Sequence, residues 1–188
     1  TNFDGVLMNP PYSAKWSAAD GFLQDPRFSS FGALAPKSKA DFAFLLHILH
    51  YLSTDGTAVV LNFPGIGYRG QREGKIRQWL IEQNVIDTVV HIPGEQFVDT
   101  SVSQLMLVLK KKRKSKGIMF IDRERGVERT VSLEEVREND FTLNVATYLP
   151  PEHAEEEIDI HETEREAREA LCKHAFADGN IDGGLVKF

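Results

Sequence analysis

The sequence predicts an α/β fold, in which helices lie on both faces of a mixed, mostly parallel sheet and a helical C-terminal tail follows. A chain of 188 residues is long enough to bury one sizeable core. Short apolar runs alternate along the chain with segments whose apolar residues repeat at the helical period. Such alternation of strands and helices is typical of parallel strand pairing.

The first strand is predicted at residues 3–8, a short and mostly apolar run. The Pro-Pro pair that follows must end it, because proline has no N–H to donate to a neighbouring strand. Residues 13–39 show no periodicity, and we predict a long surface loop there. Asp41 is suited to cap the helix predicted at 41–52, which has one broad apolar face.

Further strands complete the predicted sheet, and they lie at residues 57–63, 85–92, 103–109 and 118–121. A helix at 75–83 connects the first two of these. The strands at 85–92 and 103–109 are too close in sequence for a crossover helix, which needs about a dozen residues or more. One of these two strands is therefore predicted to run antiparallel at the edge of the sheet.

The chain is predicted to divide into a first domain at residues 1–122 and a mostly helical tail at 123–188. Ser132 and Glu135 have the spacing of a capping box, which predicts the start of a short helix. A longer helix is predicted at about 155–176, where the apolar stripe is thin.

Composition excludes several classes of protein. The chain has a single cysteine, Cys172, which excludes an internal disulfide framework and a cysteine-based zinc cluster. It has no apolar run of about 18 residues, so no membrane-spanning helix and no membrane partner are expected. The first residues do not resemble a signal peptide, and we expect a cytoplasmic protein.

Charge is unevenly distributed along the chain. Residues 152–169 contain nine acidic groups and two arginines, a net −7, so the rest of the chain sums to +1 of the total −6. The basic run at 110–116 is interpreted as a solvated strand end, and contact with phosphate is the alternative. His47 and His50 lie one helical turn apart without carboxylate or cysteine partners, so we expect no metal site.

The motif Asn9-Pro10-Pro11-Tyr12 follows directly on the first strand, where ligands bind in open α/β sheets. Its residue types suit the binding of an exocyclic amine. The Asn9 side-chain oxygen can accept one N–H, and the Pro10 carbonyl can accept the second. Tyr12 offers a ring face on which a base can stack.

This motif resembles the catalytic motif of amino-group methyltransferases that use S-adenosylmethionine. The segments that follow it are similar, in order, to those of the modification subunits of type I restriction-modification systems. The resemblance covers about residues 1–150. The segments are 62–70 (NFPGIGYRG), 76–82 (IRQWLIE), 89–93 (VVHIP), 97–100 (FVDT), 104–111 (QLMLVLKK), 120–122 (FID) and 141–145 (FTLNV).

The resemblance implies a Rossmann-like fold and a DNA adenine-N6 methyltransferase that uses S-adenosylmethionine and no metal. It implies that Asn9 and Pro10 hold the amine of an adenine flipped out of the duplex, within a catalytic motif that Pro11 and Tyr12 complete. Phe97 is interpreted either as a second stacking face for the base or as a core anchor of its loop. DNA, a specificity subunit and a restriction subunit are the implied partners, and the tail is the implied contact with the specificity subunit.

One departure from the family concerns the cofactor site. In the family, a glycine-rich turn after the first strand and an acidic residue after the second strand hold the cofactor, and both lie before the motif. No such segment exists in residues 1–8. The chain is therefore interpreted as the C-terminal half of a catalytic domain, inactive alone, with most cofactor-binding residues unknown. An exposed first strand is expected to let this fragment self-associate, or else to be displaced or poorly ordered.

Other functions remain open from the sequence. An RNA methyltransferase or a protein-glutamine methyltransferase is the alternative within enzymes, since similar four-residue motifs occur in both. A non-catalytic docking module is the alternative from another class.

Overall fold

The computed structural model describes residues 2–96 and 101–151, and within them one six-stranded sheet is formed. The strands are β1 (Phe3–Met8), β2 (Leu52–Asn62), β3 (Ile86–Ile92), β4 (Gln104–Lys110), β5 (Ile118–Asp122) and β6 (Val127–Val131). The helices are α1 (Asp41–Tyr51), α2 (Gln71–Glu82), α3 (Leu133–Glu138) and α4 (Val145–Tyr148). The strand order is β1-β2-β4-β3-β5-β6. The prediction that the first four strands share one sheet is confirmed.

The sheet is mixed, and four of its six strands run in one direction. β1 pairs with β2 in parallel, and β3 pairs with β5 in parallel. β4 runs antiparallel to both β2 and β3 and lies between them, while β6 runs antiparallel to β5. The predicted antiparallel direction is confirmed for β4, but its predicted position at the edge of the sheet is wrong. Its side chains Leu105, Leu107 and Leu109 are at most 3% exposed, so the strand belongs in the interior of the sheet.

The two long helices form as the apolar periodicity predicts, but their starts differ. α1 buries Phe42, Leu45 and Leu46, which lie on its predicted apolar face. Its N-cap is Ala40, and the expected capping residue Asp41 is the first helical residue instead. α2 begins at Gln71, before the predicted start at residue 75. The first turn of α2 contains a buried glutamate, which hides the helix from a search for apolar residues.

The segment at residues 13–39 has many exposed residues, as predicted for a surface loop, but it also packs several side chains into the core. Phe28, Leu34 and Ala35 are 4%, 6% and 1% exposed. The ring of Trp16 lies 5.7 Å from that of Phe28, and its indole N–H donates to a backbone carbonyl at 2.9 Å. Aromatic contacts of this kind have no sequence period, which explains why periodicity did not reveal them.

The sheet continues beyond the boundary expected at residue 122. β6 pairs with the whole length of β5, and one compact unit runs from Thr1 to Pro150. Residues 127–131 therefore extend the sheet, whereas the sequence predicted a mostly helical region from 123 onward. The capped helix is confirmed, since the Ser132 side chain accepts the Glu135 N–H at 3.1 Å. The predictions for the acidic tail lie outside the described residues.

The basic run after β4 contains an arginine that is mostly buried. The Arg113 side chain is 4% exposed, and it donates to Asp87 Oδ1 at 3.0 Å and to Asn84 Oδ1 at 2.8 Å. Lys112 pairs with Asp55 at 3.4 Å, where both side chains are more than two-thirds exposed. The interpretation as a solvated strand end therefore fits Lys112 and is wrong for Arg113. In the part of the chain that the structure describes, no helix combines the length and apolar character needed to span a bilayer.

Candidate active site

The predicted motif lies at the end of the sheet where β1, β2, β3 and β5 finish, which we call the carboxyl end of the sheet. Asn9 follows the last residue of β1 directly. Asn9 and Pro11 are exposed, Pro10 is buried and Tyr12 is half-buried. The buried proline anchors the turn, while the asparagine amide stays accessible to a ligand from solvent.

The Tyr12 hydroxyl lies between two amide side chains. It is 2.7 Å from Gln104 Oε1 and 3.0 Å from Asn9 Oδ1. A hydroxyl has one proton, so it can donate fully to only one of these oxygens. Burial raises the pKa of Tyr12, and the hydroxyl therefore keeps that proton at neutral pH.

The exit from the motif is fixed by a buried carboxylate. Ser13 has φ of 50°, a left-handed conformation that costs a non-glycine residue energy. Its backbone N–H donates to Asp41 Oδ1 at 2.9 Å, at the start of α1. Its hydroxyl accepts from Arg69 Nη2 at 3.3 Å. These two bonds offset the strain and set the direction in which the chain leaves Tyr12.

Arg69 connects three elements behind the motif. Its guanidinium lies 3.5 Å from Asp41 Oδ2 and 3.4 Å from Glu73 Oε1, two carboxylates that are at most 4% exposed as residues. It also lies 5.1 Å from the centre of the Phe63 ring. The structure thus places Arg69 in an ion-pair network next to the motif.

A second buried arginine fixes the loops at the carboxyl end of the sheet. Arg77, 4% exposed, donates to the carbonyls of Arg69 at 2.7 Å, Phe141 at 2.8 Å and Ile66 at 3.1 Å. The backbone N–H of Leu143 adds a bond to the Gly67 carbonyl at 2.7 Å. The segment around residue 141, which resembles the family in sequence, is thereby joined to the loop after β2.

Comparisons with known proteins assign the chain to a family. A family model described as N-6 DNA Methylase matches residues 1–131. The chain belongs to this family. The resemblance to modification subunits of type I systems, drawn from the sequence, is confirmed by the relatives.

Two curated relatives and one solved structure define the similarity of this N-6 DNA methylase chain. The type I restriction enzyme MpnII methylase subunit of Mycoplasma pneumoniae is 36% identical over 84% of the chain and 35% of its own length. The HindI methylase subunit of Haemophilus influenzae is 30% identical over 92% of the chain and 37% of its own length. The methyltransferase subunit of a type I system from Streptococcus thermophilus is 44% identical, with a TM-score of 0.74, over 78% of the chain and 38% of that structure.

The chain thus spans little more than a third of the length of these proteins. The similarity in structure confirms the predicted fold class, since a TM-score of 0.74 at 44% identity relates the described α/β sheet to that of a type I methyltransferase subunit.

One group of possible metal ligands in the methylase chain contains an aspartate that is engaged in other contacts. His91, Asp122 and Glu124 have ligand atoms within 4.8 Å of one another. Asp122 Oδ2, however, accepts from Arg125 Nε at 2.8 Å, and Asp122 Oδ1 accepts the Glu124 N–H at 2.9 Å. Burial opposes ionisation of Asp122, but bonds from Arg125, His91 and the backbone outweigh it and lower its pKa. The ion pair of Asp122 with Arg125 therefore closes the turn between β5 and β6.

The remaining residues singled out from the sequence have different outcomes. Phe97 lies outside the described residues, so its role stays a prediction. His47 lies 3.2 Å from the Arg27 guanidinium and contacts the Tyr51 ring in a tilted arrangement, and burial lowers its pKa. Gln104, Asp41 and Arg77 were not predicted to serve the motif, because their contacts join residues far apart in sequence.

Proposed function

We propose that this chain forms the C-terminal half of the catalytic domain of a type I modification subunit, which methylates the N6 amino group of adenine in DNA. The observation that supports this most directly is the exposed Asn9 amide, at the end of a parallel strand and beside Tyr12. The family match over residues 1–131 and the type I relatives support the same assignment.

In the proposed mechanism the motif binds the amine and stabilises the positive charge that develops on its nitrogen. The Asn9 Oδ1 atom and the Pro10 carbonyl oxygen accept hydrogen bonds from the two N–H groups of the amine. Both hydrogen bonds strengthen as positive charge develops on the nitrogen. The Tyr12 ring, half-buried and held through its hydroxyl, presents a face to the base. S-adenosylmethionine, when bound, supplies an electrophilic methyl group. The motif residues orient the amine lone pair toward that methyl group.

The partners follow from the proposed function. We assign DNA as the substrate, and a specificity subunit as the component that selects the sequence. We also assign a restriction subunit as a partner of the complete assembly. The relatives that support these partners are named as methylase subunits of type I restriction enzymes.

The experiment that tests this function compares Asn9→Ala with wild type in a complete methylase subunit that contains this chain. Methyl transfer from labelled S-adenosylmethionine to DNA is measured with the specificity subunit present. We expect turnover to fall by at least about a hundredfold, because a transition-state acceptor is lost. Asn9 is exposed, so the melting temperature should change by no more than about 2 °C.

Asn2→Ala, an exposed asparagine before β1, is the matched control and should keep wild-type turnover. Near-normal turnover of Asn9→Ala at saturating DNA and cofactor would refute the assignment of the motif. Parallel assays with RNA and with a glutamine-containing protein separate the substrate classes. If RNA or the protein is methylated and DNA is not, the methylated molecule is the substrate and the assignment of DNA is wrong. A subunit that binds no cofactor would instead indicate a docking module.

A further inference from the structure

Gln104 is a buried amide in contact with the motif. It is the first residue of β4, and it is 4% exposed. Its Oε1 atom lies 2.7 Å from the Tyr12 hydroxyl, although the two residues are 92 positions apart. Burying an amide costs free energy unless its polar atoms find partners, so the contact with Tyr12 is part of what keeps Gln104 in this place.

The same hydroxyl also approaches the oxygen that would bind substrate. Asn9 Oδ1 is 3.0 Å from the Tyr12 oxygen, which is longer than the distance to Gln104. If the Tyr12 proton points at Gln104, the Asn9 oxygen keeps its lone pairs for an incoming N–H. If the proton points at Asn9, one of those lone pairs is engaged and the oxygen becomes a weaker acceptor.

We propose that Gln104 is a positioning residue, which draws the Tyr12 proton away from Asn9 and so keeps the Asn9 oxygen free for the target amine. The proposal rests on the proposed function, in which Asn9 accepts an N–H of the amine. Gln104 acts through Tyr12 and does not itself touch the amine. It also fixes the ring of Tyr12 by its hydroxyl end, while the ring face stays available to the base.

The test replaces Gln104 with methionine, which has a similar volume and no acceptor of comparable strength. In the complete methylase subunit, we expect Gln104→Met to lower kcat about tenfold and to change KM for DNA less than about twofold, because the lost effect operates on the amine in the transition state. Gln104→Glu retains an acceptor oxygen in either protonation state and should keep kcat within about threefold of wild type. Gln83→Met, an exposed position at the end of α2, is the matched control and should behave as wild type.

A double-mutant cycle with Tyr12→Phe separates positioning from a general loss of structure. Tyr12→Phe removes the hydroxyl, so Gln104→Met should cause no further loss of kcat in that background. An equal loss in both backgrounds would overturn the proposal, as would wild-type kcat in Gln104→Met. A loss in Gln104→Glu as large as in Gln104→Met would also overturn it.

The failure of this proposal can be told from failure of the proposed function. If Asn9→Ala retains turnover, the role of the motif is wrong and the Gln104 cycle has no basis. If Asn9→Ala is inactive and the Gln104 cycle is additive, the motif binds the amine and Gln104 serves only the fold.

Discussion

Replacing the buried Arg77 should destabilise the whole chain, because one side chain satisfies three carbonyls. Its guanidinium donates at 2.7, 2.8 and 3.1 Å to the carbonyls of Arg69, Phe141 and Ile66. A hydrogen bond to a charged group contributes about 1.5–3 kcal/mol. Three at the lower limit sum to about 4.5 kcal/mol, and relief of the buried charge in Arg77→Met offsets part of that. We therefore expect a loss of about 3–4 kcal/mol in the free energy of unfolding.

Urea denaturation followed by circular dichroism at 222 nm measures this loss, and the melting temperature should fall by about 10 °C. Arg72 lies on the exposed face of the same helix, so Arg72→Met is the matched control. Its free energy of unfolding should change by less than about 0.5 kcal/mol. Arg77→Lys should give an intermediate loss, since an ammonium group cannot reach all three carbonyls in the fork geometry of a guanidinium. A loss below about 1 kcal/mol in Arg77→Met, with an unchanged m-value, would refute this reasoning.

Two further predictions concern pH and association. Burial, with a smaller effect from the charge of Glu135, raises the pKa of Tyr148 to about 12, so the neutral phenol stabilises the fold at pH values below its unfolded pKa of about 10. That contribution, about 2–3 kcal/mol, should be lost as pH rises from 10 to 12, whereas the profile of Tyr148→Phe should be flatter there in alkaline unfolding experiments. β1 is the first strand in the sheet order, and Leu7 is 84% exposed on it, so the isolated chain should sediment as a dimer or larger species. Leu7→Lys should sediment as a monomer and Met119→Lys as wild type, and a monomeric wild-type chain at about 100 μM would contradict this prediction.

The regular elements could be predicted where local pattern and tertiary environment agree. β2, β3 and β4 are apolar because they lie inside the sheet, and α1 has a broad apolar face because it packs against β2. β6 was missed for the opposite reason. Four of its five residues are exposed, so its sequence lacks the alternation that marks a half-buried strand.

The motif could be located from sequence because its prolines end a strand at a known end of the sheet. The residues around it could not be found in this way. Asp41 has the sequence of a helix cap, but its carboxylate accepts a bond from Ser13 and faces Arg69. Whether a polar side chain caps its own helix or serves a distant loop is decided by tertiary contacts, which no local pattern records.

The direction of β4 explains how Gln104 reaches the motif. In a strand parallel to β1, the first residue would lie at the end of the sheet opposite to Asn9. β4 runs antiparallel to β2, so its first residue lies at the carboxyl end of the sheet, opposite Ile92 at the end of β3. The sequence predicted an antiparallel strand but placed it at the edge of the sheet. The antiparallel direction of β4 is thus the feature that brings the Gln104 amide to the Tyr12 hydroxyl. If β4 were parallel, Gln104 would be absent from this end of the sheet, and of these two acceptors only the Asn9 oxygen could receive the Tyr12 proton. The Gln104 variants are designed to measure the competition between the two oxygens for that proton.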